Sequence, residues 1–229
     1  MNTHQDNYRL FFSQCILCKG RTKRTQGICC ECERDLPWIN HHCPCCFLPQ
    51  EHDHLCQQCS AQTPAFQSVS ALFDYQFPVN QLIAQIKYHD KPVYMAALAE
   101  LMARHVSNAP KPDLLIPVPL HRSRLRERGY NQAEILARGV GRQLDIPVQC
   151  DLLSKTRATA QQMSLDRINR QKNLKAAFEC SPYSAQHVVL IDDVMTTGAT
   201  INEACQTLRE QSNIANIYVL TLARTSQLE

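Results

Sequence analysis

Asp192 and Asp193 stand side by side at the end of the apolar run Val188–Ile191, and the small-residue turn MTTGAT, residues 195–200, follows almost at once. Acidic residues at such a point either mark a strand reaching the surface or hold a ligand. A turn of small residues entering a helix presents backbone N–H groups and the positive end of the helix dipole, which suits a phosphate. Thr196, Thr197 and Thr200 add hydroxyls to this turn, and Gly198 permits close approach of the backbone. Two carboxylates are poor neighbours for a phosphate alone. They suit a ligand that carries hydroxyls beside its phosphate, as a ribose 5-phosphate does. Neither a Walker A loop nor G-x-G-x-x-G occurs, so those phosphate-binding loops are excluded.

The second chemical signal is sulfur. Ten of the thirteen cysteines fall between Cys15 and Cys59, and eight of them form four C-x2-C pairs: Cys15/Cys18, Cys29/Cys32, Cys43/Cys46 and Cys56/Cys59. Two thiolates three positions apart grip one side of a tetrahedral Zn(II), and a second pair closes the shell. With every position taken by sulfur, such metals are structural, and in segments this short they supply much of the folding free energy. The doublets repeat with spacers of about ten residues, which favours two zinc ribbons built from consecutive pairs. An interleaved cross-brace, or substitution by His41, His42, His52 or His54, remains open on spacing alone. Cys30 and Cys45 fall inside pairs and read as spare thiols. Reduced cysteines fit a cytoplasmic chain, which the absence of a signal-like N-terminus also favours.

Two basic stretches complete the inventory. Arg122, Arg124, Arg126 and Arg128 alternate along IPVPLHRSRLRERGYNQ. Extended, they share one side; in a helix only pairs four apart align. Arg157, Arg167, Arg170 and Lys172 lie in KTRATAQQMSLDRINRQKN. From Lys111 to Lys175 there are 13 Lys or Arg against 6 Asp or Glu, although the whole chain has a net charge of only +3. A basic middle beside an acidic strand end suits a polyanionic ligand, nucleic acid included.

These residues need a scaffold. After Cys59, SAQTPAFQ reads as a linker. Strands are predicted over SVSALFDYQF, PDLLIPVP, AQHVVLIDDV and IANIYVLTLAR. Helices are predicted over PVNQLIAQIKYH, PVYMAALAELMARHV, NQAEILARGVGRQL and ATINEACQTLREQ. Apolar strands alternating with helices imply a mostly parallel sheet covered on both faces, with ligands beyond the strands' carboxyl ends. The expected fold is therefore α/β, a parallel sheet flanked by helices over residues 63–229. A small double zinc-ribbon module with four cysteines per metal precedes it, over residues 1–62. No apolar run is long enough to span a membrane.

All thirteen positions of VVLIDDVMTTGAT fit the signature of type I phosphoribosyltransferases, which bind phosphoribosyl pyrophosphate (PRPP). The resemblance implies that Asp192 and Asp193 hold the ribose hydroxyls, and that Met195, Thr196, Thr197, Gly198, Ala199 and Thr200 cradle the 5-phosphate. It implies that the turn Leu120, His121 and Arg122, with Arg128, meets the pyrophosphate. Arg157 and Arg170 belong to the stretch corresponding to the family's closing loop. Together with the four cysteine pairs, RGYNQ (128–132), QMSL (162–165) and RQKN (170–173) resemble ComF-type competence proteins and their DNA-utilisation relatives. That resemblance implies a part in DNA uptake or use.

Transfer from PRPP requires positive groups, with Mg(II) held mainly by substrate oxygens and water, to stabilise the departing pyrophosphate. Nothing in the sequence identifies the acceptor. A non-catalytic PRPP-responsive protein that binds single-stranded DNA is the alternative. In that case KGRTKR (19–24) would meet phosphates, and Tyr8, Phe11, Phe12 and Trp38 would offer stacking surfaces, although such aromatics more often sit in cores.

Overall fold

A computed structural model describes residues 14–22, 27–88, 93–157 and 177–226. Two short helices lie in the cysteine-rich part, α1 (Cys30–Arg34) and α2 (Gln57–Ala61). Then come β1 (Ser68–Asp74), α3 (Val79–Tyr88), α4 (Val93–His105), β2 (Leu114–Pro117), α5 (Arg122–Arg128) and α6 (Gln132–Leu144). The chain continues through β3 (Leu153–Lys155), β4 (Phe178–Cys180), β5 (Ser184–Met195), α7 (Ala199–Gln211) and β6 (Asn213–Arg224).

The main sheet has the order β1-β6-β5-β2 with all pairs parallel, while β3 and β4 form a separate antiparallel pair. Side chains alternate across a strand, so one apolar strand feeds two cores. In β5, Val188 and Leu190 enter one core with α7, β3 and β4. Val189 and Ile191 enter the other, with α3, α4 and α6. Helices α4 and α6 cross closely because Gly139 has no side chain; a Cβ there would lie 2.4 Å from the Cβ of Ala99.

The cysteine-rich part is built onto this sheet. Cys15, Ile16, Ile28 and Leu36 join the core of α3 and α4, whereas Cys43, Cys46 and Cys56 join the core of α7. Between them, residues 37–45 run along the edge strand β1. Asp74 N donates to Pro37 O (2.8 Å), Ile39 N to Leu72 O (3.2 Å) and Val69 N to Cys45 O (2.9 Å). Backbone groups that an edge strand would leave unpaired are thus partly satisfied. The stretch expected as a linker is packed as well. Phe66 is buried, Ala65 N donates to Asn202 Oδ1 (2.8 Å), and Arg209 Nε donates to Ala65 O (2.6 Å).

Every long element expected from the sequence is present. The arginine-rich turn resolves as helix α5, so the extended alternative does not hold. Arg122 aligns with Arg126, and Arg124 with Arg128, rather than all four sharing one side.

Candidate functional site

Strand β5 outruns its neighbour. Its pairing with β2 ends at Ile191–Pro117, while its pairing with β6 continues through Asp192–Thr221 to Met195–Arg224. The two carboxylates therefore lie where β2 has stopped and its turn has begun. Each is oriented by the next backbone N–H: Asp193 N donates to Asp192 Oδ1 (2.9 Å), and Val194 N to Asp193 Oδ1 (2.8 Å).

Lys87, in the last turn of α3, reaches across and places Nζ 2.6 Å from Asp193 Oδ2. The contact is a close ion pair rather than an aligned hydrogen bond. Burial alone would lower the Lys87 pKa, but the Asp193 charge outweighs it and the pKa rises. Among the described residues no cation pairs with Asp192 in the same way. Burial and then the Asp193 charge push its pKa well above the usual carboxylate range. Such a carboxylate gains from any ligand that brings hydroxyl donors or a cation, so the pair fits both a ribose diol and Mg(II). Lys155, at the end of β3, also feels Asp192, although burial lowers its pKa.

Beyond the acids the chain turns through Gly198, the N-cap of α7, at φ +78°. This left-handed geometry favours glycine, and a Cβ there would lie 2.5 Å from Met195 Cε. Thr197 Oγ1 accepts weakly from Ala199 N at 3.4 Å. Residues 195–200 thus form a compact turn at the amino end of a 13-residue helix. Met195 is buried, whereas Thr196 is exposed.

The β2 turn stands beside it, since Val118 N donates to Ile191 O (2.8 Å) immediately before Asp192. His121, expected at the ligand, caps α5: its Nδ1 accepts from Ser123 N at 3.2 Å. Arg124 pairs with Glu127 (3.1 Å) and Arg128 donates to Gln132 Oε1 (3.4 Å). Gly129 ends α5 at φ +76°. Tyr130 then donates from its hydroxyl to Ile86 O, next to Lys87. Asn131 donates to Val118 O (3.0 Å) and caps α6 by accepting from Ala133 N (3.1 Å). The RGYNQ stretch therefore joins the β2 turn to α3. Arg157 follows β3 and is exposed; Arg167, Arg170 and Lys172 lie outside the described residues, as do QMSL and RQKN.

The eight paired cysteines gather in two clusters, Cys15/Cys18/Cys29/Cys32 and Cys43/Cys46/Cys56/Cys59, each with its sulfurs within 4.8 Å of one another. Consecutive pairs share a cluster, and among the described residues no histidine joins either. Sulfur separations of 3.9 Å (Cys18–Cys29) and 3.6 Å (Cys46–Cys56) match the edge of about 3.8 Å that Zn–S bonds of ~2.3 Å give a tetrahedron. Cys29 N donates to Cys15 Sγ and Cys56 N to Cys43 Sγ, both at 3.4 Å. Burial would raise the pKa of Cys15 and Cys43, but backbone N–H groups outweigh it and bring each down to about 7. Geometry and donors fit a tetrathiolate metal at both clusters.

Trp38 packs on Phe73 with ring centroids 4.6 Å apart, and its Nε1 donates to Glu33 O (2.9 Å), so it serves the core. Tyr8, Phe11 and Phe12 lie outside the described residues, and so do Lys23 and Arg24 of the basic run. Sequence reasoning missed Lys87 and Arg224. Both act through contacts distant in sequence, and neither belongs to a motif.

A parallel sheet whose carboxyl edge holds paired aspartates before a small-residue turn defines a phosphoribosyltransferase-type domain. The chain belongs to the phosphoribosyl transferase domain family, whose model matches residues 85–228. Among its relatives is the DNA utilization protein YhgH of Shigella flexneri, 36% identical over 207 residues, covering 87% of this chain and 91% of that protein. The Competence protein F of Haemophilus influenzae is 32% identical over 231 residues, covering 93% and 98%. Among solved structures, the glutamine phosphoribosylpyrophosphate amidotransferase of B. subtilis is 18% identical at a TM-score of 0.38, covering 56% of this chain and 25% of that one. Among the described residues no helix is long and apolar enough to cross a membrane.

Proposed function

We propose that the chain binds PRPP with Mg(II) at the carboxyl edge of its sheet and transfers the phosphoribosyl group to an acceptor, as part of DNA uptake or utilisation in the cytoplasm. The observation that carries this reading is the run of Asp192 and Asp193 into the Gly198 turn at the start of α7. Asp192 and Asp193 accept hydrogen bonds from the ribose hydroxyls. The N–H groups and hydroxyls of Met195 to Thr200 receive the 5-phosphate. The turn Leu120 to Arg122, with Arg128, receives the pyrophosphate, and Arg157 and Arg170 supply further positive charge for it. In the transfer, the bond from the sugar C1 to pyrophosphate breaks as the acceptor's bond to C1 forms. The aspartates favour the positive charge that develops on the sugar, and the arginines favour the leaving group. Mg(II), when bound, neutralises pyrophosphate charge.

The cysteine clusters hold two structural zinc ions, and the chain divides into a double zinc ribbon, residues 1–62, and a transferase-like domain, residues 63–229. The DNA connection rests on the names of the relatives and on the basic middle of the chain. Calorimetric titration with PRPP, with and without Mg(II), tests the reading. Mg-dependent binding by the wild type and its loss in Asp192→Asn/Asp193→Asn are expected. Absence of binding by a folded, zinc-loaded wild type would overturn it.

A further inference from the structure

Arg224 ends β6 and is 1% exposed. A guanidinium keeps its proton in proteins, so the fold carries a permanent positive charge in its interior. Such a charge is costly unless compensated. Among the described residues no carboxylate lies within ion-pair distance of it. Instead it makes hydrogen bonds in two directions. Nε donates to Cys46 O at 3.2 Å, while Nη1 donates to Met195 O at 3.1 Å and to Thr196 O. One side chain thus joins the second cysteine cluster to the turn that follows the aspartates.

Both ends have a physical consequence. Four thiolates around a divalent metal carry a net charge of 2−, and hydrogen-bonded groups just outside the ligands tune such a centre. Cys46, whose carbonyl accepts from Arg224 Nε, is one of the four thiols of that cluster, so a metal-loaded centre would set its negative charge beside the guanidinium. At the other end, a trans peptide points its C=O and the following N–H in opposite directions. With the carbonyls of Met195 and Thr196 turned inward to the guanidinium, the N–H groups of Thr196 and Thr197 are turned away from it.

We propose that Arg224 is a positioning residue coupling metal occupancy of the second cysteine cluster to the shape of the anion-binding turn. This rests on the zinc and phosphate readings above. Metal at the cluster holds the guanidinium in place, the guanidinium holds the Thr196 carbonyl and, together with Thr225 N, that of Met195, and the two peptide planes aim donors at the phosphate. Linkage makes the coupling reciprocal in affinity: a ligand on the turn tightens metal binding at the cluster, and slower metal loss is the form in which that tightening is read.

The test uses the full zinc-loaded chain and ribose 5-phosphate as probe. Zinc release to a chromogenic chelator is followed with and without the probe, and probe affinity is measured by calorimetry. In the wild type, the zinc-release phase of one cluster slows at least about threefold with probe present. Arg224→Met abolishes that slowing, speeds release of the same zinc, and weakens probe binding by about tenfold. Should Arg224→Met fail to fold, Arg224→Lys decides: it keeps the charge but loses the fork, so zinc is retained while probe affinity falls. A wild type that binds no probe overturns the phosphate reading and this proposal with it. Probe binding by a folded Arg224 variant with wild-type affinity and unaltered zinc kinetics overturns this proposal alone, as does weakened binding with the probe-dependent slowing intact.

Discussion

At the scale of single residues, the site is organised by an imbalance of charge. Among the described residues, Lys87 is the one cation in ion-pair contact with the two adjacent carboxylates, and it sits on Asp193; Lys155 feels Asp192 only at longer range. The pair keeps some contact with solvent, so breaking it should cost less than the ~3–5 kcal/mol typical of fully buried pairs. We expect Lys87→Met to destabilise the protein by about 2–3 kcal/mol, lowering Tm by roughly 5–10 °C. Ribose 5-phosphate affinity should fall at least about tenfold, because Asp193 loses the cation that neutralises and orients it beside a second carboxylate. Thermal melts of Lys87→Met/Asp193→Asn check the assignment. The double variant should recover most of the lost stability, since both halves of the pair are then gone. Equal destabilisation of the single and double variants would mean that Lys87 acts through packing instead.

At the scale of elements, the site depends on a splice. Asn131 holds the β2 turn through Val118 O and starts α6 by capping Ala133 N, so one side chain registers α6 against the turn at the sheet edge. Asn131→Ala should cost about 2 kcal/mol, roughly half from the lost cap and half from a stranded carbonyl. Weaker pyrophosphate binding should accompany a Tm drop of about 4–8 °C; a melt unchanged within about 1 °C would contradict the splice. The long elements were legible in the sequence because apolar period and proline punctuation agree along them. The paired aspartates were legible because their whole setting is contiguous. The strands β3 and β4, three residues each, are too short to show a period. Alternating arginines fit either a strand or a helix. What selects helix α5 is a histidine cap at one end and a left-handed glycine at the other. Lys87 and Arg224 were illegible for a different reason: their partners are brought to them only by the folded sheet.

At the scale of the molecule, the cysteine-rich part is an extension of the core rather than a bead on a string. One cluster packs against each face of the sheet, and the segment between them lies along β1. Metal at the clusters would therefore stabilise the sheet as well as the ribbons, because binding free energy at such sites is folding free energy. Two manipulations should converge on that point. A chain beginning at residue 63 loses Cys15, Ile28, Leu36, Cys43, Cys46 and Cys56 from its two cores and leaves β1 as an unprotected edge. It should aggregate, bind a hydrophobic dye and show no cooperative melt. The intact chain stripped of zinc by a strong chelator should lose its cooperative transition along with the metal, and regain it when zinc is restored. A soluble 63–229 fragment that melts sharply and still binds ribose 5-phosphate would show the opposite, that the transferase-like fold is self-sufficient and the ribbons merely ride on it.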